Sequence, residues 1–197
     1  MKNTFIVSCP IDTYSGYGAR ARDFVKSLIK LDKYDVKILS QRWGNTTRGF
    51  IEGNKEEWGF LEEFIIPGLQ EKPDYWCQIT VPNEFQSVGK YNIGLTAGIE
   101  TTNCDIEWVK GCNRMDLILT SSEHSKLSFL NSQFQNSERK DDIVKLEKPI
   151  EVLFEGGNLD IYKTIKKFNN KELYNIIDSI DEDFAYLNVG HWMQGNF

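Results

Sequence analysis

A chain of 197 residues has room for one ordinary domain, or for one and part of a second. Its 40% hydrophobic and 26% charged content is that of a folded globular protein, and no apolar stretch approaches the roughly 20 residues of a membrane helix. The net charge of −6 argues against nucleic acid as a general partner, because that affinity comes mainly from neutralising phosphates.

The N-terminal run is strand-like, too short and wrongly flanked for a signal peptide, which points to a cytoplasmic protein. Short β-branched or aromatic runs alternate with helical ones from there on. Strands are predicted near 4–9, 35–40, 74–80, 91–96, 116–120, 150–154 and 184–189. That alternation argues for an α/β, Rossmann-like fold, a mostly parallel sheet flanked by helices. The first helix is predicted over 18–31, with Ala21, Phe24, Val25 and Leu28 on its buried face. Arg22, Lys26 and Lys30 recur at i, i+4 on the same helix and read as a solvated face, or as a weakly positive approach to a phosphorylated ligand. Residues 1–50 hold nine Lys/Arg against four Asp/Glu, a balance of +5 that leaves −11 for the remainder.

A short helix is expected near 56–65, where Trp58, Leu61 and Phe64 line up. Thr102-x-x-Asp105 has the shape of a capping box and is expected to open another, with Ile106 and Val109 on one face. Ser121 or Ser122 should cap the helix carrying Leu127 and Leu130. The polar stretch Asn131 to Lys148 reads as an exposed, mobile connection. A boundary falls at Glu155-Gly156-Gly157-Asn158, dividing a domain at 1–156 from a remainder at 157–197. A helical segment around Lys171–Ile180 follows it. The run Phe184 to Gly190 then looks like the first strand of a new unit; with no helix after it to cover its faces, the chain reads as cut short. Cys9, Cys77, Cys104 and Cys112 show no C-x-x-C spacing and no nearby histidine pair, so they read as buried reduced thiols and not as a metal site.

Three segments carry candidate chemistry. Ser15-Gly16-Tyr17-Gly18-Ala19-Arg20-Ala21 follows the first strand and opens the first helix with the spacing G-x-G-x-x-A. Two glycines permit a sharp bend and close approach of a ligand, and the helix start favours an anion such as a diphosphate. A loop separates the strand from Gly16, however, and the second strand ends Leu39-Ser40-Gln41-Arg42 with no carboxylate to bind ribose; both count against NAD. Lacking the Lys-Ser/Thr pair, the turn is no P-loop either. The second segment, Gly98-Ile99-Glu100-Thr101-Thr102, sets a carboxylate just past a strand's C-terminal end, where open parallel sheets bind ligands. Glu100 there can take a proton from an attacking hydroxyl, helped by Thr101 and Thr102, or simply bond the amides of the next helix. The third, Val81-Pro82-Asn83-Glu84-Phe85, ends the preceding strand; it reads equally as an ordinary Pro-containing loop or as a site where Asn83 and Glu84 suit a polyhydroxyl ligand and Phe85 a stacking role. His124, opening a helix, can donate to an anion or, as a lone histidine with no visible partner, serve a structural part.

Taken together these residues resemble the N-terminal half of a GT-B glycosyltransferase of the family-4-like group. The likeness rests on Ser15-Gly16-Tyr17-Gly18 and on Gly98-Ile99-Glu100-Thr101-Thr102 with Trp108 beyond. It rests also on Asn113 to Ser125, where a strand leads into a serine-opened helix, and on Gly156 to Tyr162, like that group's crossing into its second domain. The resemblance implies two Rossmann-like domains facing across a cleft, and metal-independent transfer of a sugar from a nucleotide sugar to a hydroxyl acceptor. It puts Ser15, Gly16, Tyr17 and Gly18 at the nucleotide sugar, Glu100 at the catalytic carboxylate, and Asn83, Glu84, Thr101 and His124 beside the acceptor. No cofactor beyond the donor is implied. The basic pair that grips the diphosphate and the E-x7-E segment belong to a second domain, expected to begin at Gly190-His191-Trp192. Donor-side function then comes from a second domain or partner chain. A non-catalytic binding or assembly module, its apolar Val189, Trp192 and Phe197 covered by a partner or second copy, is the alternative. A nucleotide-dependent oxidoreductase is the weaker third.

Overall fold

In β1 (Thr4–Cys9) every residue after Thr4 is buried, the pattern of a strand covered on both faces of a parallel sheet. Phe5, Val7 and Cys9 join one core and Ile6 the other, following the two-residue period of a strand. This is a computed structural model, and it describes residues 2–135, 143–157, 159, 162–164, 170–184 and 186.

Six parallel strands form the main sheet: β2 (Asp35–Ser40), β1, β3 (Tyr75–Ile79), β4 (Tyr91–Leu95), β5 (Leu117–Thr120) and β8 (Ile150–Val152), in that spatial order. Phe5 stands beside Val36 on one side and Tyr75 on the other, so all carboxyl ends open onto one edge. Outside β2, Ile65 adds a single parallel bridge to Ile38, with the Ile66 amide donating to the Ile38 carbonyl at 2.9 Å. The chain winds outward from β1 in both directions, which makes the carboxyl ends of β1 and β3 the topological switch point. The expected α/β, Rossmann-like architecture is the one observed.

Helix α1 (Gly16–Leu31) starts two residues before the predicted position, so both glycines lie inside its first turn. Ala21, Val25 and Leu28 bury as expected, and Phe24 packs half-buried beside them. Arg22 does not lie on a solvated face. It is 3% exposed, donates to the carbonyls of Ile11 (2.8 Å) and Thr13 (3.0 Å), and sets its guanidinium 3.4 Å from the Phe50 ring centre. Those partners come from the loop after β1 and from a helix start distant in sequence, which helical spacing alone does not reveal. In place of one helix over 56–65 there are α2 (Phe50–Gly53), α3 (Lys55–Trp58) and a 3-10 turn over Gly59–Phe64. Gly53 and Gly59 stand at the breaks, where glycine weakens helix propagation.

Helix α4 (Ile106–Cys112) is capped by Asp105, whose carboxylate accepts the Glu107 amide, and not by Thr102. Helix α5 (Glu123–Asn131) is capped by Ser122. Its inward face is Ser125, Ser128 and Phe129, while Leu127 and Leu130 are 54% and 44% exposed. The stretch expected to be a mobile connection contains an antiparallel pair, β6 (Gln133–Gln135) with β7 (Ile143–Lys145). Phe134, Val144 and Leu146 pack on the second core, and Asn113 ties down the far strand through the Lys145 carbonyl and the Glu147 amide. All four cysteines are free and buried.

The chain divides into two compact units, Met1–Gly156 and Gly157–Phe197. In the second, α6 (Lys171–Asp178) is capped by Asn170 and carries exposed Ile176 and Ile177. Asn158, Asp160 and Ile161, nearly all of the strand predicted at 184–189, and the Gly190-His191-Trp192 segment lie outside the described residues, as do Val189 and Phe197. No helix among the described residues is long and apolar enough to cross a membrane.

Candidate functional site

The α1 turn is built from the loop that β1 throws out. Ser15 caps the helix: its hydroxyl accepts the Gly18 amide at 2.9 Å and meets the Thr13 hydroxyl at 2.8 Å. Thr13 in turn donates to the Pro10 carbonyl. The two glycines have different reasons. A Cβ on Gly18 would collide with the Thr13 carbonyl, so that glycine serves the packing of the loop. Gly16 is exposed, and a Cβ there would meet nothing within 4 Å. The amides of Gly16 and Tyr17 lie in the first turn, where no intrahelical acceptor exists and the helix dipole is positive.

The Tyr17 side chain is engaged within the protein. Its ring stacks on Trp43 with centroids 4.1 Å apart, and its hydroxyl meets the Thr96 hydroxyl at 3.0 Å and accepts the Ala97 amide at 3.2 Å. Burial pushes the phenol pKa up, the bonds to Thr96 and Ala97 pull it back, and the charges of Glu155 and Glu100 add to the rise. The residue therefore braces α1 against the end of β4 as a neutral phenol.

The loop after β4 is held by serines. Gly98 has φ +92, and a Cβ there would collide with the Ser125 side chain, so conformation and space both demand glycine. Ser121 donates to the Ala97 carbonyl at 2.6 Å. The Ser125 hydroxyl lies 3.2 Å from both the amide and the carbonyl of Ile99. Ser128 donates to the Thr101 carbonyl at 2.8 Å, and Ser132 accepts the Cys104 amide at 2.9 Å. These bonds keep residues 97–104 out of the helix that Thr102 was expected to open. Glu100 projects from this strapped loop, exposed, and its carboxylate takes no hydrogen bond from the described residues. Capping by Asp105 leaves Glu100 no part in starting α4. His124 Nε2 lies 3.1 Å from the Glu100 carbonyl oxygen, which brings these two predicted residues together. The Thr101 hydroxyl donates to the Asn103 carbonyl at 2.7 Å.

At the end of β3, Pro82–Glu84 forms a 3-10 turn. The Thr80 hydroxyl donates to the Glu84 carboxylate, and Gln78 bonds the Glu84 carbonyl and the Gln86 amide. Asn83 is exposed, its carbonyl accepting from Arg114 at 2.7 Å. Phe85 cannot stack on a ligand: it is fully buried, its ring against Gly94. Glu84 lines a crevice of about 60 Å³ at the switch point, with Ser8, Arg42, Trp43, Gln78 and Thr80. A larger groove of about 350 Å³ opens beside Thr4, Asp35 and Lys37, where the strands begin, the end at which parallel sheets do not hold ligands.

Ser15–Gly18, Glu100, Thr101, His124, Asn83 and Glu84 thus follow different elements of one sheet edge. The sequence reading missed two contributors. Arg20 donates from Nη2 to the Leu153 carbonyl at 2.6 Å and pairs with Glu155 at 3.5 Å, tying α1 to the end of β8. Trp43 walls the crevice and supports Tyr17; the signal for it was its place directly after Gln41-Arg42, at the end of a predicted strand. No family model, characterised protein or solved structure matches this chain.

Proposed function

We propose that the first unit is the acceptor-side domain of a glycosyltransferase that moves a sugar from a nucleotide-sugar donor to a hydroxyl acceptor. The observation that carries this reading is the pairing, across one sheet edge, of an unobstructed helix start with an unpaired carboxylate. Gly16 leaves the first-turn amides of α1 open to an anion, and Glu100 stands on the loop that Tyr17 joins to the same helix. Glycosyl transfer needs these two things. A leaving diphosphate must be stabilised as charge builds on it, and the acceptor hydroxyl must lose a proton. In this reading the α1 turn faces the diphosphate, Glu100 takes the proton, and Asn83, Glu84, Thr101 and His124 surround the acceptor.

Titration of the ¹⁵N-labelled chain with UDP, GDP and ADP at millimolar concentration tests it. The expected result is movement of the Gly16, Tyr17 and Gly18 amides with at least one diphosphate and none with the corresponding nucleoside. Silence at that turn for all three would remove the reading. A binding or assembly module is the second reading, favoured by the exposed Ile176 and Ile177 on α6. Light scattering separates it, since a monomer at all concentrations would speak against assembly.

A further inference from the structure

We propose that the crevice at the switch point binds the end of an anionic, hydroxyl-bearing small molecule, a sugar or polyol carrying a carboxylate or a phosphate. Ser8, on β1, contributes to its lining; it is 1% exposed, and its hydroxyl takes no hydrogen bond from the described residues. That hydroxyl stays free to donate to, or accept from, a group that enters the crevice. Glu84 supplies an acceptor for ligand hydroxyls, held in place by the buried Thr80 hydroxyl. Arg42 supplies the opposite charge, and its guanidinium pairs with no carboxylate among the described residues. Trp43 and Pro10 add apolar wall against which the C–H face of a sugar can pack.

The crevice has room for only one end of the ligand. A volume of about 60 Å³ holds about four water molecules, enough for a carboxylate or a hydroxymethyl group but not for a ring. One cation beside one carboxylate and one unpaired hydroxyl selects against a neutral sugar and against a bare anion. That this is the acceptor's subsite rests on the transferase reading; the binding itself does not.

Calorimetric and ¹⁵N titration of the full chain with glucose 6-phosphate, glucuronate, glucose and inorganic phosphate tests the proposal. At least one anionic sugar should bind roughly tenfold or more tighter than glucose, the lower end of what a hydrogen bond to a charged group is worth. Which of the two binds tighter identifies the anion. Shifts should centre on Gln41–Trp43 and Thr80–Glu84. Arg42→Ala, at an exposed position, should bring the anionic sugars down to the level of glucose, and Ser8→Ala should weaken every sugar that binds. Four results would each overturn the proposal: no binding of either anionic sugar, equal binding of glucose, equal binding of phosphate alone, or an Arg42→Ala variant that binds unchanged. Shifts confined to Gly16–Gly18 would move the anion to the α1 turn and also overturn it. Anionic sugars bound at Arg42 with all nucleoside diphosphates inert would keep the crevice and discard the transferase.

Discussion

Replacing Gly16 by aspartate separates the stability of the α1 turn from its capacity for anions. A Cβ at this position meets nothing within 4 Å, and no positive φ stands in the way. Removing glycine restricts the unfolded chain and gains about 0.4–1 kcal/mol. A carboxylate in the first helical turn adds about 0.3–1 kcal/mol through the dipole. A gain of about 1.3 kcal/mol, at roughly 3 °C per kcal/mol for a chain of this size, should raise Tm by about 4 °C. For an anion the same change is adverse. Two like charges about 4 Å apart repel by about 1 kcal/mol in water and about 4 kcal/mol near a protein surface, a loss of roughly fivefold to a thousandfold in affinity. Thermal unfolding and diphosphate titration on the same sample read both quantities. A variant that is stabilised and still binds diphosphate would refute the anion site, and a destabilised one would refute the account of the helix start.

Gly98→Ala should cost about 2–4 kcal/mol in urea unfolding, combining the backbone penalty at φ +92 with the collision against Ser125; a loss under 1 kcal/mol would contradict the packing described. Burial pushes the thiols of Cys9 and Cys77 well up and that of Cys112 up to about 12, from the ordinary thiol value of 9.0. An acid kept neutral in the folded state ionises first in the unfolded chain, so this stability is complete below about pH 8 and falls as pH rises. Each thiol should cost about 1.4 kcal/mol by pH 10, and Cys77→Ala should shrink the difference between pH 8 and pH 10 by that amount; an unchanged difference would sink the assignment. In an active transferase containing this domain, Glu100→Gln should lower kcat by roughly a hundredfold or more, and unchanged turnover would take Glu100 out of the mechanism.

Strands were legible where apolar runs were long enough to be covered on both faces, as in Phe5-Ile6-Val7 and Tyr75-Trp76-Cys77. The failures were in segments whose structure is decided by distant partners. Arg22 sits at a helical spacing that suits solvent, but Phe50 and two loop carbonyls claim it. Thr102 has the spacing of a cap, but Ser125, Ser128 and Ser132 hold the chain on both sides of it in another path. The helix α5 hid its buried face because two of that face's three residues, Ser125 and Ser128, are hydroxyls beside Phe129, while Leu127 and Leu130 point outward. Among the candidate residues, the Gly16 turn and Glu100 were visible because strand ends mark the ligand edge of a parallel sheet. The crevice was not, since its members come from three strand ends and meet only after the sheet has formed.

The Arg20 bond to Leu153 spans 133 residues, joining the first helix of the unit to the chain leaving its last strand. A contact of that separation carries a large loop-closure entropy, and three of the sheet's five strand pairings, β3 with β4, β4 with β5 and β5 with β8, lie between its ends. Leu153 follows β8, so the bond needs the chain through the last strand of the sheet to be in place. Arg20 is in effect a clasp that reports completion of the sheet. A ribosome releasing this chain in order leaves the helix start without its final tether until the segment after β8 has emerged.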